Sequence, residues 1–202
     1  MIEFFPEDHT YQVDGIITPS VTTLIGSIWI PHKYDGVSKT VLRKAADYGN
    51  RAHELIENAE GTLPDWYDRH SEEGRALKNY LKIKDKYNII VASCERLVAY
   101  IGENSLPLFA GTYDMLGTVD GKNAIIDIKT TAKYDAKYLT YQLTLYKMAL
   151  EQMVDGDLEI EEGYCLHVPK KGYASLIPVP FLDPKAIEKD IRVWRSQKAT
   201  QS

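Results

Sequence analysis

Cysteine is scarce in this chain, with only Cys94 and Cys165 in 202 residues. No CxxC pair and no Cys/His cluster occurs, which excludes a structural zinc site and a four-cysteine iron–sulfur cluster. Two isolated thiols fit a reducing compartment, so a cytoplasmic location is expected. Long apolar runs are also missing. No stretch approaches 18 apolar residues, so no membrane span is expected. The opening MIEFFPEDHTYQVDG lacks a basic region followed by an apolar run, so no secretory signal is expected. No repeat, low-complexity tract or linker interrupts the chain, and one domain over 1–202 is expected. Basic excess is absent as well: the net charge is −5, which does not advertise a nucleic-acid binder.

The charge is unevenly spread. Residues 122–147 hold Lys122, Lys129, Lys133, Lys137 and Lys147 against Asp127 and Asp135. That segment is +3 and the remainder −8. It reads either as a solvated helix face or as a basic patch for a polyanion. The 14 tyrosines read first as core or rim residues, although tyrosine can also stack on bases.

Local patterns give the elements. Residues 3–18 read as a hairpin turning at Asp14-Gly15. Ser20 caps a short helix within 18–29. Residues 38–61 form a long amphipathic helix from Ser38 to Gly61, and Ser71 starts another over 71–88. Strands follow at 89–101, 108–119 and 123–130, then a helix at 136–153. Strands near 160–168 and 173–180 flank the turn PKKGY, and a helix closes the chain at 183–198. The order predicts an α/β fold: a helical elaboration over 1–88, then a core over 89–202 with a central mixed sheet flanked by helices.

One stretch resists a purely structural reading. AIIDIKTT, residues 124–131, places Asp127 and Lys129 in an isoleucine-rich strand. The preceding turn, VDGK at 119–122, has Asp-Gly at its two central positions, the strong signal for a two-residue hairpin. Val119 then faces Lys122, and by the same register Asp114 faces Asp127. Like charges so placed destabilise a sheet, and a divalent cation would reverse that sign. On this reading, removing Asp114 leaves the metal-free protein as stable as before or more so. Carboxylates are the ligands that Mg²⁺ and Mn²⁺ prefer. Lys129 shares the face of Asp127, while Ile126 and Ile128 point the other way. One face of the strand is expected to pack and the other to form a site. The plainer alternative is a surface Asp–Lys pair.

The sequence GTYDMLG…AIIDIKT…YQLTLY, together with GNRAHELIE at 49–57, resembles the PD-(D/E)XK nuclease superfamily in its RecB-like branch. TPSVTTLIG at 18–26 resembles the segment that opens many phage-encoded relatives. The resemblance implies a restriction-endonuclease-like core and a metal-dependent DNA nuclease, most often an exonuclease in recombination, repair or phage DNA metabolism. Its alternatives are an endonuclease on the same core and a non-catalytic DNA-binding subunit. It implies Asp114, Asp127, the Ile128 carbonyl and His53 as ligands of one or two Mg²⁺ or Mn²⁺ ions. Lys129 would be the catalytic lysine, with Gln142 and Tyr146 lining the site. Glu95 is a further ligand candidate, or simply a solvated strand carboxylate. Glu57 is expected to be exposed. Lys133, Lys137 and Tyr138 are the candidates for DNA contact. Iron–sulfur members of the branch need four cysteines, so no cluster is expected. Linear DNA with ends is the implied partner, alongside a recombination or single-strand-binding protein.

Overall fold

The computed structural model describes residues 1–31, 36, 38–59, 61–154 and 157–200. Two sheets organise it. The first is an antiparallel meander of β1 (Ile2–Phe5), β2 (Thr10–Val13) and β3 (Ile16–Thr18). Asp14 and Gly15 turn β2 into β3 with φ of 50° and 79°, and Val13 pairs with Ile16. The hairpin expected over 3–18 is thus three strands, because residues 6–9 turn the chain once more.

Helix α1 (Val21–Leu24) starts at Ser20, whose Oγ accepts the Thr23 N–H at 3.0 Å, and runs on as a π-helical segment, Ile25–Trp29. Helix α2 (Lys39–Glu57) is capped by Ser38, and α3 (Glu72–Lys86) by Ser71. Each cap satisfies an N–H that the first helical turn leaves without a partner. Helix α2 ends at Glu57, with Asn58 rather than Gly61 as its cap. Arg51 on α2 grips Glu73 on α3, with Nη2 2.6 Å from Oε1.

The second sheet has the order β4-β5-β6-β7-β8, with β4 at Ile90–Ile101, β5 at Pro107–Val119, β6 at Lys122–Lys129, β7 at Glu162–His167 and β8 at Ser175–Pro178. Among the strands of this sheet, β6 and β7 run parallel and the other neighbours antiparallel. Helix α4 (Ala136–Met153) makes the crossover that a parallel pair requires. Helix α5 (Pro184–Ala199) starts at the Asp183 cap with proline in its first turn. The result is the expected mixed sheet flanked by helices.

Core residues cover both faces of β6. Ile125 packs with Leu139, Leu143 and Ala149 of α4 and with Ile187 and Ile191 of α5. Ile126 and Ile128 pack with Ala52, Leu55 and Ile56 of α2 and with Leu77 and Tyr80 of α3. Ile126 and Ile128 thus pack as expected, and the face of the strand that carries Asp127 and Lys129 is packed as well at Ile125, as the parallel strands of α/β sheets are. The site lies at its carboxyl end. A small cluster of Tyr11, Val13, Ala99 and Ala110 fastens the meander to β4 and β5. Among the described residues, no helix is long and apolar enough to cross a membrane.

Candidate active site

Asp120 and Gly121 both have positive φ, 48° and 85°, the geometry of a type I′ hairpin turn. From there the register runs as expected, Val119 with Lys122 through Met115 with Ile126. The next pair would be Asp114 with Asp127, but the β5–β6 ladder stops before it. The Asp114 carboxylate takes over instead, with Oδ2 accepting the Ile128 N–H at 2.7 Å. On the other side of β5, Cys94 pairs with Met115 and Arg96 with Tyr113, while Glu95 between them has φ +49°. A non-glycine residue held in that region mid-strand carries strain of about 1–3 kcal/mol. Asp114 thus sits where β5 drops its regular partner on each side.

Helix α2 brings the next donors. Gly49, His53 and Glu57 recur every four residues and share one face. A Cβ on Gly49 would lie 3.3 Å from Thr130 Oγ1, so the glycine lets the helix settle against the segment after Lys129. His53 Nδ1 lies 3.7 Å from Asp114 Oδ2 and 3.6 Å from Glu57 Oε1. One donor atom each from His53, Glu95 and Asp114 lie within 4.8 Å of one another. Glu57, expected to be exposed, is only 13% exposed at its side chain, and its Oε1 is buried without a hydrogen-bond partner among the described residues. The sequence did hold the signal: Glu57 continues the row of Gly49 and His53.

Protonation follows from this crowding. Partial burial, then the charges of Glu57 and Asp114, raise the Glu95 carboxyl to about 7, although water on its open side trims the effect. Burial works to lower the His53 imidazole, but the neighbouring carboxylates of Glu57, Asp114 and Asp127 outweigh it, so the group is raised.

Deeper in, Asp127 is 1% exposed. Its Oδ2 meets the Lys129 ammonium at 2.5 Å, and its Oδ1 has no hydrogen-bond partner among the described residues. Burial pushes the Asp127 carboxyl up against the pull of Lys129. Burial also works to lower Lys129, but Asp127 and Asp114 outweigh it and hold it charged. Gln142 and Tyr146 are both buried beneath the site. Burial, followed by the Asp114 charge, raises the Tyr146 phenol well above its ordinary value. A Cβ on Gly111 would come within 2.9 Å of Tyr146 Cε1, so β5 needs glycine there to admit the ring.

The remaining candidates lie farther out. Lys133 is exposed. Lys137 Nζ reaches the Trp29 carbonyl at 3.3 Å, and Tyr138 is half-buried against the α4 core. Tyr11 was not legible in the sequence as a neighbour of the site. Its phenol lies 3.1 Å from Thr112 Oγ1; burial raises it, and the charge of Glu95 adds to that rise.

A divalent cation fits these residues. An imidazole and two carboxylates converge, buried carboxylate oxygens of Glu57 and Asp127 lack a hydrogen-bond donor among the described residues, and four carboxylates oppose one ammonium. Oxygen donors in excess negative charge suit a hard cation, and imidazole adds affinity for Mn²⁺.

The geometry changes the expectation for Asp114. Asp114→Ala strips the acceptor from the Ile128 N–H, which costs about 1–3 kcal/mol and exceeds the few tenths to about 1 kcal/mol gained by relieving repulsion. The metal-free Ala variant is therefore expected to melt several degrees below wild type. Asp114→Asn keeps an oxygen acceptor and loses the charge, so its midpoint is expected to equal or exceed wild type. Thermal melts in chelator check both. An Ala variant as stable as Asn would show that the Ile128 contact contributes nothing.

The family model of the PD-(D/E)XK nuclease superfamily matches residues 42–195, a span that includes every residue from His53 to Tyr146 discussed above. The chain belongs to that superfamily, whose members are nucleases that use divalent metal ions. Among solved structures it is similar to one titled "Crystal structure of SSO0001", with a TM-score of 0.47 and 16% identity, covering 94% of this chain and 79% of that one. No curated protein matches it.

Proposed function

We propose that this protein is a metal-dependent deoxyribonuclease of the RecB-like branch that degrades DNA from an end. The carrying observation is the convergence of His53, Glu95 and Asp114 beside the buried Asp127–Lys129 pair. His53, Glu95 and Asp114, with Asp127 and the Ile128 carbonyl as further donors, would hold one or two Mg²⁺ or Mn²⁺ ions. Such an ion supplies Lewis acidity to the scissile phosphate and lowers the pKa of water. Lys129 presents a fixed positive charge to the negative charge that develops on the phosphoryl oxygens. Asp127 holds that ammonium in place and keeps it protonated. Gln142 and Tyr146 form the floor under it. Glu57, whose carboxylate lies 3.6 Å from His53 Nδ1, would orient the imidazole.

The RecB-like motif order favours an exonuclease leaving a 5′-phosphate and a 3′-hydroxyl. Lys133, Lys137 and Tyr138 are assigned to the DNA backbone, and a recombination or single-strand-binding protein is the companion this reading calls for. Both cysteines are free thiols, which fits work in the cytoplasm. The test uses end-labelled linear DNA, covalently closed circular DNA and RNA, with Mg²⁺, Mn²⁺ or chelator. Loss of linear DNA with circles and RNA spared is the expected result. Cut circles would make it an endonuclease, and DNA binding without cleavage in either metal would make it a binding subunit.

A further inference from the structure

The loop between β7 and β8 plays no part in the site above, yet among the described residues it carries the most exposed large hydrophobic side chain. Tyr173 is 95% exposed, leaving its ring in water in the segment Pro169-Lys170-Lys171-Gly172-Tyr173. Both ends of this loop are anchored. His167 pairs with Ser175 across the hairpin. Lys170 forms an ion pair with Glu72 of α3 and lies 5.1 Å over the Tyr48 ring of α2. Gly172 turns the chain at φ +109°, a conformation that side-chain-bearing residues rarely adopt.

Its position ties it to the site. His167 is also the β7 partner of Lys129, the Val168 N–H donates to the Lys129 carbonyl at 2.8 Å, and His167 Nε2–H donates to the Thr131 carbonyl at 2.8 Å. Two strand spacings separate Lys129 from Ser175, roughly 10 Å, and Tyr173 lies two residues from Ser175. That is the reach of one or two nucleotides from a phosphate at Lys129. The chemistry also matches. Residues 167–175 contain a histidine, two lysines and a tyrosine but no carboxylate, in a chain of net charge −5. The exposed Lys133 and Tyr134 lie just beyond, the Tyr134 ring edge-on to His167 at 5.5 Å.

We propose that this loop is a base-stacking contact for a single-stranded DNA end: Tyr173 stacks on an unpaired base near the scissile phosphate, and Lys171 meets an adjacent phosphate. An exposed aromatic ring stacks on any base, since every base offers a π-face. The loop therefore selects for unpaired nucleotides rather than for sequence. The proposal rests on the nuclease reading and adds the strand state of its substrate.

The test measures binding of short single-stranded oligonucleotides carrying 2-aminopurine at each of the first four positions from either end. It is run in a Lys129→Ala background with Mg²⁺ so that the substrate stays intact. At one position the fluorescence is expected to be quenched on binding, and Tyr173→Ala should abolish that quench and weaken binding roughly tenfold. Tyr173→Phe should retain both. An abasic residue at the responsive position should remove the difference between Tyr173→Ala and its parent. Lys171→Ala should weaken all oligonucleotides alike and reduce the slope of log affinity against log salt by about one. Tyr173 is 95% exposed, so its replacement leaves the fold intact. Binding and quenching unchanged in Tyr173→Ala would overturn this proposal alone. Absence of DNA binding by the parent protein would overturn the nuclease reading as well.

Discussion

Lys129→Ala is expected to lower DNA cleavage by about 10²–10³-fold and to destabilise the protein at the same time. The ammonium lies 2.5 Å from Asp127 Oδ2, and Asp127 is 1% exposed. Removing one partner of a buried pair leaves an uncompensated charge, at about 3–5 kcal/mol. Lys129 itself is 25% exposed, so water screens part of this and the low end of the range is expected. The penalty depends on pH. The folded Asp127 carboxyl already binds its proton more tightly than an ordinary carboxyl, because burial opposes its charge. Without Lys129 that rise is larger. A carboxyl raised in the folded state is harmless below its unfolded pKa and destabilises as pH climbs through its folded pKa. The midpoint deficit of Lys129→Ala should therefore be small near pH 5 and large near pH 8. Adding Asp127→Asn should restore most of the midpoint and none of the activity. Melts at the two pH values, beside single-turnover cleavage rates, check this. Wild-type rates in Lys129→Ala would remove the lysine from catalysis. A deficit independent of pH would show that Asp127 is not the group left stranded.

A large, pH-dependent stabilisation by Mn²⁺ is the second expected result. At a hundredfold excess over its dissociation constant, a ligand that binds only the folded state adds about 2.7 kcal/mol, or roughly 5–10 °C for a chain of this size. Without metal, Glu95 is raised to about 7 and His53 is also raised. A raised carboxyl and a raised imidazole act in the same direction. The raised imidazole stabilises the folded protein at low pH and loses that contribution as pH rises through its folded pKa, while the raised carboxyl is neutral at low pH and destabilises as pH rises through its own. The metal-free protein should lose stability from about pH 5 to pH 8. Mn²⁺ needs these donors deprotonated, so its stabilisation should grow over the same interval. Glu95→Gln should flatten the metal-free curve and weaken binding. His53→Ala should weaken Mn²⁺ more than Mg²⁺, because imidazole is a softer ligand than carboxylate or water. Calorimetric titration of both ions at pH 6 and pH 8 decides it. Equal Mn²⁺ affinity at the two pH values, or in wild type and His53→Ala, would place the ion elsewhere.

The elements were legible because they obey short periods. Alternation and the Asp-Gly turn placed β5 and β6 and set their register from Val119–Lys122 to Met115–Ile126. Apolar spacing and serine caps placed α2 and α3, and α4 was readable to the residue, 136–153. Asp127-x-Lys129 stood out because charge inside an apolar strand demands a reason.

What the tertiary structure decided is how distant segments meet. No local period shows that the β5–β6 ladder ends one pair short of the two aspartates, or that Asp114 then bonds the Ile128 N–H. Glu57 looked like an ordinary solvated helix carboxylate until Ala52, Leu55 and Ile56 drew α2 onto the sheet and turned its other face to Asp114. Glu95 depended on a left-handed residue within β4, and Tyr146 on the missing Cβ of Gly111. The sequence determined which groups were present and on which element each would ride. Packing determined which of them share one small volume, and that proximity is what sets their protonation and their capacity to bind a cation.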